Sequence, residues 1–317
     1  MLTQDIVFRF FRAKPALNHS QIEKEAGLPS KTLYRALGGH INLNEKHLTK
    51  LIPVLRSYGF SEELFSKARV ISIVNHKGGV GKTTSTINLG KALSLLGNRV
   101  LMLDMDSQGN LSQCFGIHQP ETQIIDALLD KKSLPIIKIE PKLHLAPSDI
   151  QMAYRELELV NSIGSEKRLA NKLAPLLSEY DYVLIDCPPS LGLLTVNGLM
   201  AAMDGVIVPV QCEYLALEGL GQLTQTIERV RSALFPELEV RGVVLTMFDN
   251  RTNLSTDVVE EVNKHFPNQV FKSVVPRSIR LAEAPSYGLP ISEYAPTSVG
   301  ALAYEALAKE LLKGDKA

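Results

Sequence analysis

The sequence predicts an α/β protein, a mostly parallel sheet with helices on both faces, preceded by a small all-helical domain. Three observations carry this. From residue 70 onward, short apolar strand-like runs alternate with amphipathic helical stretches, the pattern of repeated βαβ units. At 70–84 one such run passes straight into a glycine-rich loop and then a helix. Before residue 70 the pattern is helical and lacks any strand signal. The boundary is placed between 68 and 69, giving a helical domain at 1–68 and an α/β domain at 69–317.

In chain order, helices are expected near 3–12, 19–26, 30–37 and 44–57. The second and third, joined across Gly27, have the form helix, glycine turn, helix. Ile22, Ala26, Leu28, Leu33, Ala36 and Leu37 supply a small core, Ser30 suits the N-cap of the second helix, and Lys31, Tyr34 and Arg35 face outward. The segment resembles a repressor-type helix-turn-helix, which implies operator DNA reading through those three residues. A helical docking or dimerisation module has the same pattern. Residues 1–69 hold 11 basic and 6 acidic side chains within a chain whose 34 basic and 34 acidic residues balance overall. The remaining 23 basic and 28 acidic residues leave the rest of the chain acidic by the same margin. The basic surplus of the first segment suits nucleic acid, and it equally suits a solvated lysine-rich surface.

Strands are expected at 70–75, 99–104, 142–146, 182–186, 205–210, 240–246 and 271–275. Helices are expected near 82–97, 152–161, 165–178, 191–202, 215–234, 254–266 and 298–313. After the first strand comes a phosphate cradle of Gly78, Gly79, Val80, Gly81, Lys82, Thr83 and Thr84. The glycines allow backbone N–H groups to turn around phosphate oxygens, and the following helix points its positive end at them. Lys82 reaches the β/γ-phosphates, and Thr83 is placed to hold Mg²⁺. His76 stands where the general motif has its first glycine, and a second lysine, Lys77, follows it.

With that second lysine the loop resembles the deviant Walker A box of the ParA/MinD ATPases. The resemblance implies that Lys77 crosses a dimer interface to the partner's nucleotide; a solvated loop lysine is the plain alternative. The second strand ends in Asp104 and Asp106, followed by Ser107-Gln108-Gly109-Asn110, which is similar to the family's switch I motif with serine in place of proline. There Asp106, 24 residues after Lys82, matches the acid needed for hydrolysis and metal binding. Strand 182–186 delivers Asp186 in the Walker B manner, for Mg²⁺. Further on, Arg251 and Arg280 match family positions that carry sequence-independent DNA binding, with salt bridges to Asp249 or Glu283 as the competing explanation. Met247, Pro276 and Ser278 match the adenine pocket.

The resemblance spans 70 to about 313. It implies a DNA-partition ATPase requiring ATP and Mg²⁺, which closes as an ATP-bound homodimer on nonspecific DNA. A ParB-like centromere-binding protein would stimulate its weak hydrolysis, and the helical domain would add operator binding and self-repression. Two alternatives stand beside it. One is a MinD-like membrane-positioning ATPase, disfavoured because the apolar face Val299, Leu302, Ala303, Ala306, Leu307 and Leu311 is flanked by mixed charges. The other is an ATP-switched transcription regulator. With 45% hydrophobic and 21% charged residues the chain is composed as a globular protein. Cys114, Cys187 and Cys212 fit neither a disulfide framework nor a zinc site. No run of 18 apolar residues and no signal region is visible, so the expected location is cytoplasmic, with no membrane contact, and the resemblance implies association with the nucleoid.

Overall fold

The computed structural model describes residues 4–14, 17–38, 40–61, 68–130, 132–213, 216–249, 251 and 253–316. Positions 3 and 215, where two predicted helices begin, lie outside them. The chain divides into two compact units, Met1–Lys67 with Leu311–Ala317, and Ala68–Glu310.

In the first unit, α1 (Gln4–Ala13), α2 (His19–Glu25), α3 (Thr32–Leu37) and α4 (Glu45–Ser57) enclose a core that includes Phe8, Phe10, Ile22, Leu33, Leu51 and Leu55. The apolar residues assigned to the helix-turn-helix are buried, Leu37 only partly. Asn18 caps α2, and Asn44 closes a reciprocal capping box with His47 at the start of α4.

Ser30, however, is exposed and does not cap α3. The cap position is Lys31, at φ +65°, and the acceptor comes from the preceding helix: Glu23 takes the N–H of Lys31 at 2.9 Å and that of Leu33 at 2.6 Å. A carboxylate accepts more strongly than a hydroxyl and opposes the positive end of the helix, so it wins the site. Lys31 therefore sits in the turn, while Tyr34 and Arg35 stand exposed on α3 itself.

The second unit is a seven-stranded sheet. Its strands are β1 (Arg69–Ile73), β2 (Val100–Asp104), β3 (Ile137–Glu140), β4 (Leu143–Ala146), β5 (Tyr182–Asp186), β6 (Val206–Gln211) and β7 (Val240–Thr246), in the order β3-β4-β2-β5-β1-β6-β7. All neighbours are parallel except the edge pair β3 and β4. β1, β2 and β5 are buried along their whole length, as a sheet covered on both faces requires. The principal helices are α5 (Lys82–Leu95), α6 (Asn110–Gln113), α7 (Ile124–Leu129), α8 (Gln151–Val160), α9 (Arg168–Leu173), α10 (Leu193–Ala201), α11 (Ala216–Ala233), α12 (Asn253–His265), α13 (Ile279–Glu283), α14 (Ile291–Tyr294) and α15 (Val299–Lys316).

Several expectations are corrected. The strand expected at 271–275 does not form. Phe271 and Val275 donate to Val243 and Leu245 of β7, but the N–H groups of Lys272 and Ser273 go to the Glu310 carboxylate at 2.7 and 2.9 Å, which interrupts the ladder. Conversely β3 has no counterpart in the sequence reading, although Ile137-Lys-Ile-Glu140 alternates with period two. The helix expected over 165–178 breaks into a 3₁₀ turn, α9 and a second 3₁₀ turn, since Pro175 cannot donate to the helical ladder. On α15 the buried face is Ala301, Tyr304, Leu307, Ala308 and Leu311, leaving Val299, Leu302 and Ala306 exposed. Among the described residues no helix is long and apolar enough to cross a membrane.

Candidate nucleotide-binding site

The site forms where β1, β2 and β5 end, at the carboxyl edge of the parallel strands. Asn75 anchors the glycine loop: its amide donates to the Pro209 carbonyl at 2.7 Å and its oxygen accepts the Lys77 N–H at 3.0 Å. Gly79 and Gly81 have φ of +75° and +90°, a region L side chains rarely adopt, so glycine is a backbone requirement there. Gly78 has no such dihedral, and a methyl group on it would meet nothing within 4 Å. Its freedom is not what turns the loop.

Lys82 opens α5 and is buried at 6% exposure. Its ammonium donates to the Lys77 carbonyl at 3.0 Å. Burial lowers its pKa, opposed by the charges of Asp186 and Asp106. The cation thus lies within the field of both strand-end acids singled out in the sequence.

Asp186 is fully buried, and its pKa is pushed up to about 8, by burial first and the Asp104 charge second. Its Oδ1 accepts from the Thr86 hydroxyl at 3.2 Å, while its Oδ2 is buried without a partner of hydrogen-bonding geometry. A buried carboxylate oxygen left over beside a lysine is what a cation, or its water shell, would satisfy. The Thr83 hydroxyl acts on the same carboxyl, in the lowering sense.

The two acids of the second strand differ in role. Asp104 accepts both the N–H and the hydroxyl of Ser112, at 2.8 and 2.7 Å, and burial raises its pKa to about 7. It pins the loop and faces inward. Asp106 sits at 8% exposure with Oδ1 accepting the Gln108 N–H at 3.0 Å, and its carbonyl is held by the Ser148 hydroxyl at 2.7 Å. Ser112 and Ser148 carry no sequence motif that marks them. Gly109, at φ +63°, lies so close to Ser148 that a Cβ would fall 2.8 Å from its carbonyl oxygen.

Beside the loop is a cavity of about 420 Å³ lined by Gly81, Thr84, Thr246, Met247, Pro276, Ser278 and Tyr304, among others. All three residues expected for the base pocket are there. Met247 adopts φ +50°, and Thr246 donates to the Val80 carbonyl at 2.8 Å, tying the cavity wall to the phosphate loop. Tyr304, from α15, was not singled out; a lone aromatic at helical spacing reads as core. Its hydroxyl lies 3.1 Å from that of Ser85 on α5.

Lys77 stands on the outer side of the loop with its side chain 30% exposed, and its ammonium lies 3.5 Å from Glu213, which also accepts from Gln211. Arg251 and Arg280 are exposed, and each engages the acid named as its competing partner: Arg251 contacts both oxygens of Asp249 at 2.8 and 2.6 Å, and Arg280 contacts Glu283 at 2.9 Å. Both guanidinium groups are reached by water, so the single contact of Arg280 adds little stability, while the two-pronged contact of Arg251 is the firmer pair. Lys31, Tyr34 and Arg35 belong to the other unit.

A family model described as an AAA domain matches residues 68–240. The sporulation initiation inhibitor protein Soj of Bacillus subtilis is 49% identical over 248 residues, 77% of this chain and 98% of Soj. The chromosome partitioning protein ParA of Myxococcus xanthus is 47% identical over 266 residues, 82% of this chain and 93% of that protein. Among solved structures, a cobyrinic acid a,c-diamide synthase from Mycobacterium smegmatis, with bound ATP analogue and magnesium, superposes with a TM-score of 0.68 at 37% identity, covering 78% of this chain and 95% of that one. Residues before 68 lie outside the family match.

Proposed function

Since this chain belongs to the ParA family of chromosome-partitioning ATPases, we propose that it binds ATP with Mg²⁺ at the glycine loop and hydrolyses it to position or segregate DNA. Lys82 and the N–H groups of 78–84 hold the β- and γ-phosphates, Met247, Pro276 and Ser278 receive the adenine, and Thr83, Asp106 and Asp186 hold the metal. Bound there, Mg²⁺ would supply charge neutralisation on the phosphates. Asp106 orients the attacking water, which displaces ADP and leaves inorganic phosphate. The observation that carries this reading is Lys82, buried within the field of Asp186 and Asp106, beside the cavity of about 420 Å³ that Gly81 and Thr84 of the same loop line.

ATP closes two copies face to face, with Lys77 leaving Glu213 to reach the partner's nucleotide. In the dimer Arg251 and Arg280 exchange their carboxylates for DNA phosphates, without regard to sequence. A ParB-like centromere-binding protein stimulates hydrolysis and so release. The helical domain at 1–68 reads an operator through Lys31, Tyr34 and Arg35 and represses its own gene. The chain works in the cytoplasm on the nucleoid. The membrane-positioning alternative gains little from α15, where Val299, Leu302 and Ala306 are exposed but Leu307 and Leu311 are buried.

The test is titration of ATP and Mg²⁺ into the wild-type chain and Lys82→Ala, followed by turnover with DNA and a ParB-like protein. Equal affinity in the two chains would sink the site assignment. Turnover indifferent to both DNA and partner would favour the ATP-switched regulator.

A further inference from the structure

A second cavity lies beside the nucleotide cavity and shares one wall with it. It measures about 330 Å³ and is formed by the second half of α5, by α14 and by the start of α15. Tyr304 alone lines both cavities. Ligand sites span about 300–1,000 Å³, so this one has room for a small molecule.

The interior is apolar. Ala92, Ile291, Ala301 and Tyr304 are buried, while Leu95 and Leu96, 64% and 38% exposed, leave an apolar lip open to solvent. Within this lining one polar group is left over: the Ser292 hydroxyl oxygen is buried without a hydrogen-bond partner. A desolvated, unpaired hydroxyl costs free energy that a bound N–H or O–H group would recover. Glu305, the charged residue of the rim, is paired with Lys309, so a charged ligand finds no free counter-charge there. The lining therefore suits an uncharged ring with one hydrogen-bonding group, set against the Tyr304 ring.

Two contacts join this cavity to the phosphate loop. The Tyr304 hydroxyl lies 3.1 Å from that of Ser85, on the helix that begins with Lys82. Asn88, which lines the second cavity, donates to the carbonyl of Thr84, which lines the nucleotide cavity, at 2.8 Å. The same Asn88 accepts the Ile291 N–H, also at 2.8 Å, and so ties α14 to that helix.

We propose that the cavity is an effector site for a small uncharged aromatic molecule, of one or two rings with a single N–H or hydroxyl, and that its occupancy raises the affinity for nucleotide. Binding needs only the cavity; the coupling rests on the nucleotide site of the proposed function. A ligand on one side of Tyr304 orders the wall that a ligand on the other side also packs against, so each favours the other.

The chain has no tryptophan, so indole can be followed on the full-length protein by its own fluorescence. Indole should bind at one saturable site. Indene, which has the same shape but no N–H, should bind about fivefold more weakly. Ser292→Ala should lower indole to the level of indene and leave indene unchanged, with no loss of melting temperature because the hydroxyl removed has no partner. Saturating indole should tighten a non-hydrolysable ATP analogue with Mg²⁺ about fivefold, and saturating analogue should tighten indole by the same factor.

Indole that does not bind, or that binds Ser292→Ala as tightly as wild type, would refute the site. Indole that binds without changing nucleotide affinity would overturn the effector role. So would a nucleotide affinity that falls in proportion to added indole, which places indole in the adenine cavity. A wild-type chain that binds indole through Ser292 but takes no ATP would refute the nucleotide reading while upholding the second cavity as a ligand site.

Discussion

The ammonium of Lys82 donates to the carbonyl oxygen of Lys77, 3.0 Å away. One lysine of the loop thus holds the backbone of the other, so the buried cation and the half-exposed one are tied by a single contact. A buried cation needs such partners, and here it has a carbonyl together with the charges of Asp186 and Asp106.

Lys77→Ala and Asp106→Ala should therefore fail in different ways. The first removes an outward charge and should abolish both the ATP-induced dimer and hydrolysis. The second removes the group proposed to orient water and should leave an ATP-bound dimer that does not turn over. Sedimentation and phosphate release, each with and without ATP, separate the two.

Gly109→Ala should disable the Asp106 loop without touching the phosphate cradle. The substitution puts an L residue at φ +63° and a methyl carbon 2.8 Å from the Ser148 carbonyl oxygen. It should cost about 1–3 kcal/mol of stability. Hydrolysis should fall more than ATP affinity does. Calorimetric melting together with nucleotide titration checks both parts.

Arg251 and Arg280 are exposed cations, paired with Asp249 and Glu283, that DNA phosphates can reach. Arg251→Ala and Arg280→Ala should each weaken ATP-dependent DNA binding on every sequence and flatten its salt dependence by about one unit of slope per lost phosphate contact. Binding isotherms across a salt series give the slope; two variants with wild-type slopes would move the DNA surface elsewhere.

Within the helical unit, Glu23→Ala should destabilise by about 1–3 kcal/mol, since two N–H groups at the start of α3 lose their acceptor. Ser30→Ala should change almost nothing. Denaturant titration of both variants distinguishes the capping carboxylate from the serine that the sequence suggested.

Operator reading is tested through Arg35, exposed on α3. Arg35→Ala should reduce protection of the protein's own promoter region in footprinting while sparing the nonspecific binding that depends on Arg280. An unchanged footprint would leave the helical unit as a docking module.

Much of this was legible in one dimension because the signals are local. Strand, glycine loop and helix follow one another at 70–95, and the apolar runs ending in Asp104 and Asp186 announce their own burial. Met247, Pro276 and Ser278 were found by resemblance, and they line the same cavity. What escaped were partnerships across long separations. Glu310 takes the N–H groups that would have extended the sheet at 272–273, and Ser112 and Ser148 fix the two ends of the Asp106 loop. None of these residues has a spacing that names its partner.

The sequence by itself determined the α/β class, the phosphate loop and the acids that face it, since periodicity and motif are properties of neighbouring residues. Only the tertiary structure decided what surrounds each acid. Asp104 and Asp106 are two residues apart on one strand end, yet the fold turns one onto Ser112 and holds the other beside Lys82. It likewise chose Glu23 over Ser30 at the start of α3, and left Tyr154 and Leu157 in water. The reason is common to all three: which group is desolvated, and by what, depends on chain that is distant in sequence and near in space.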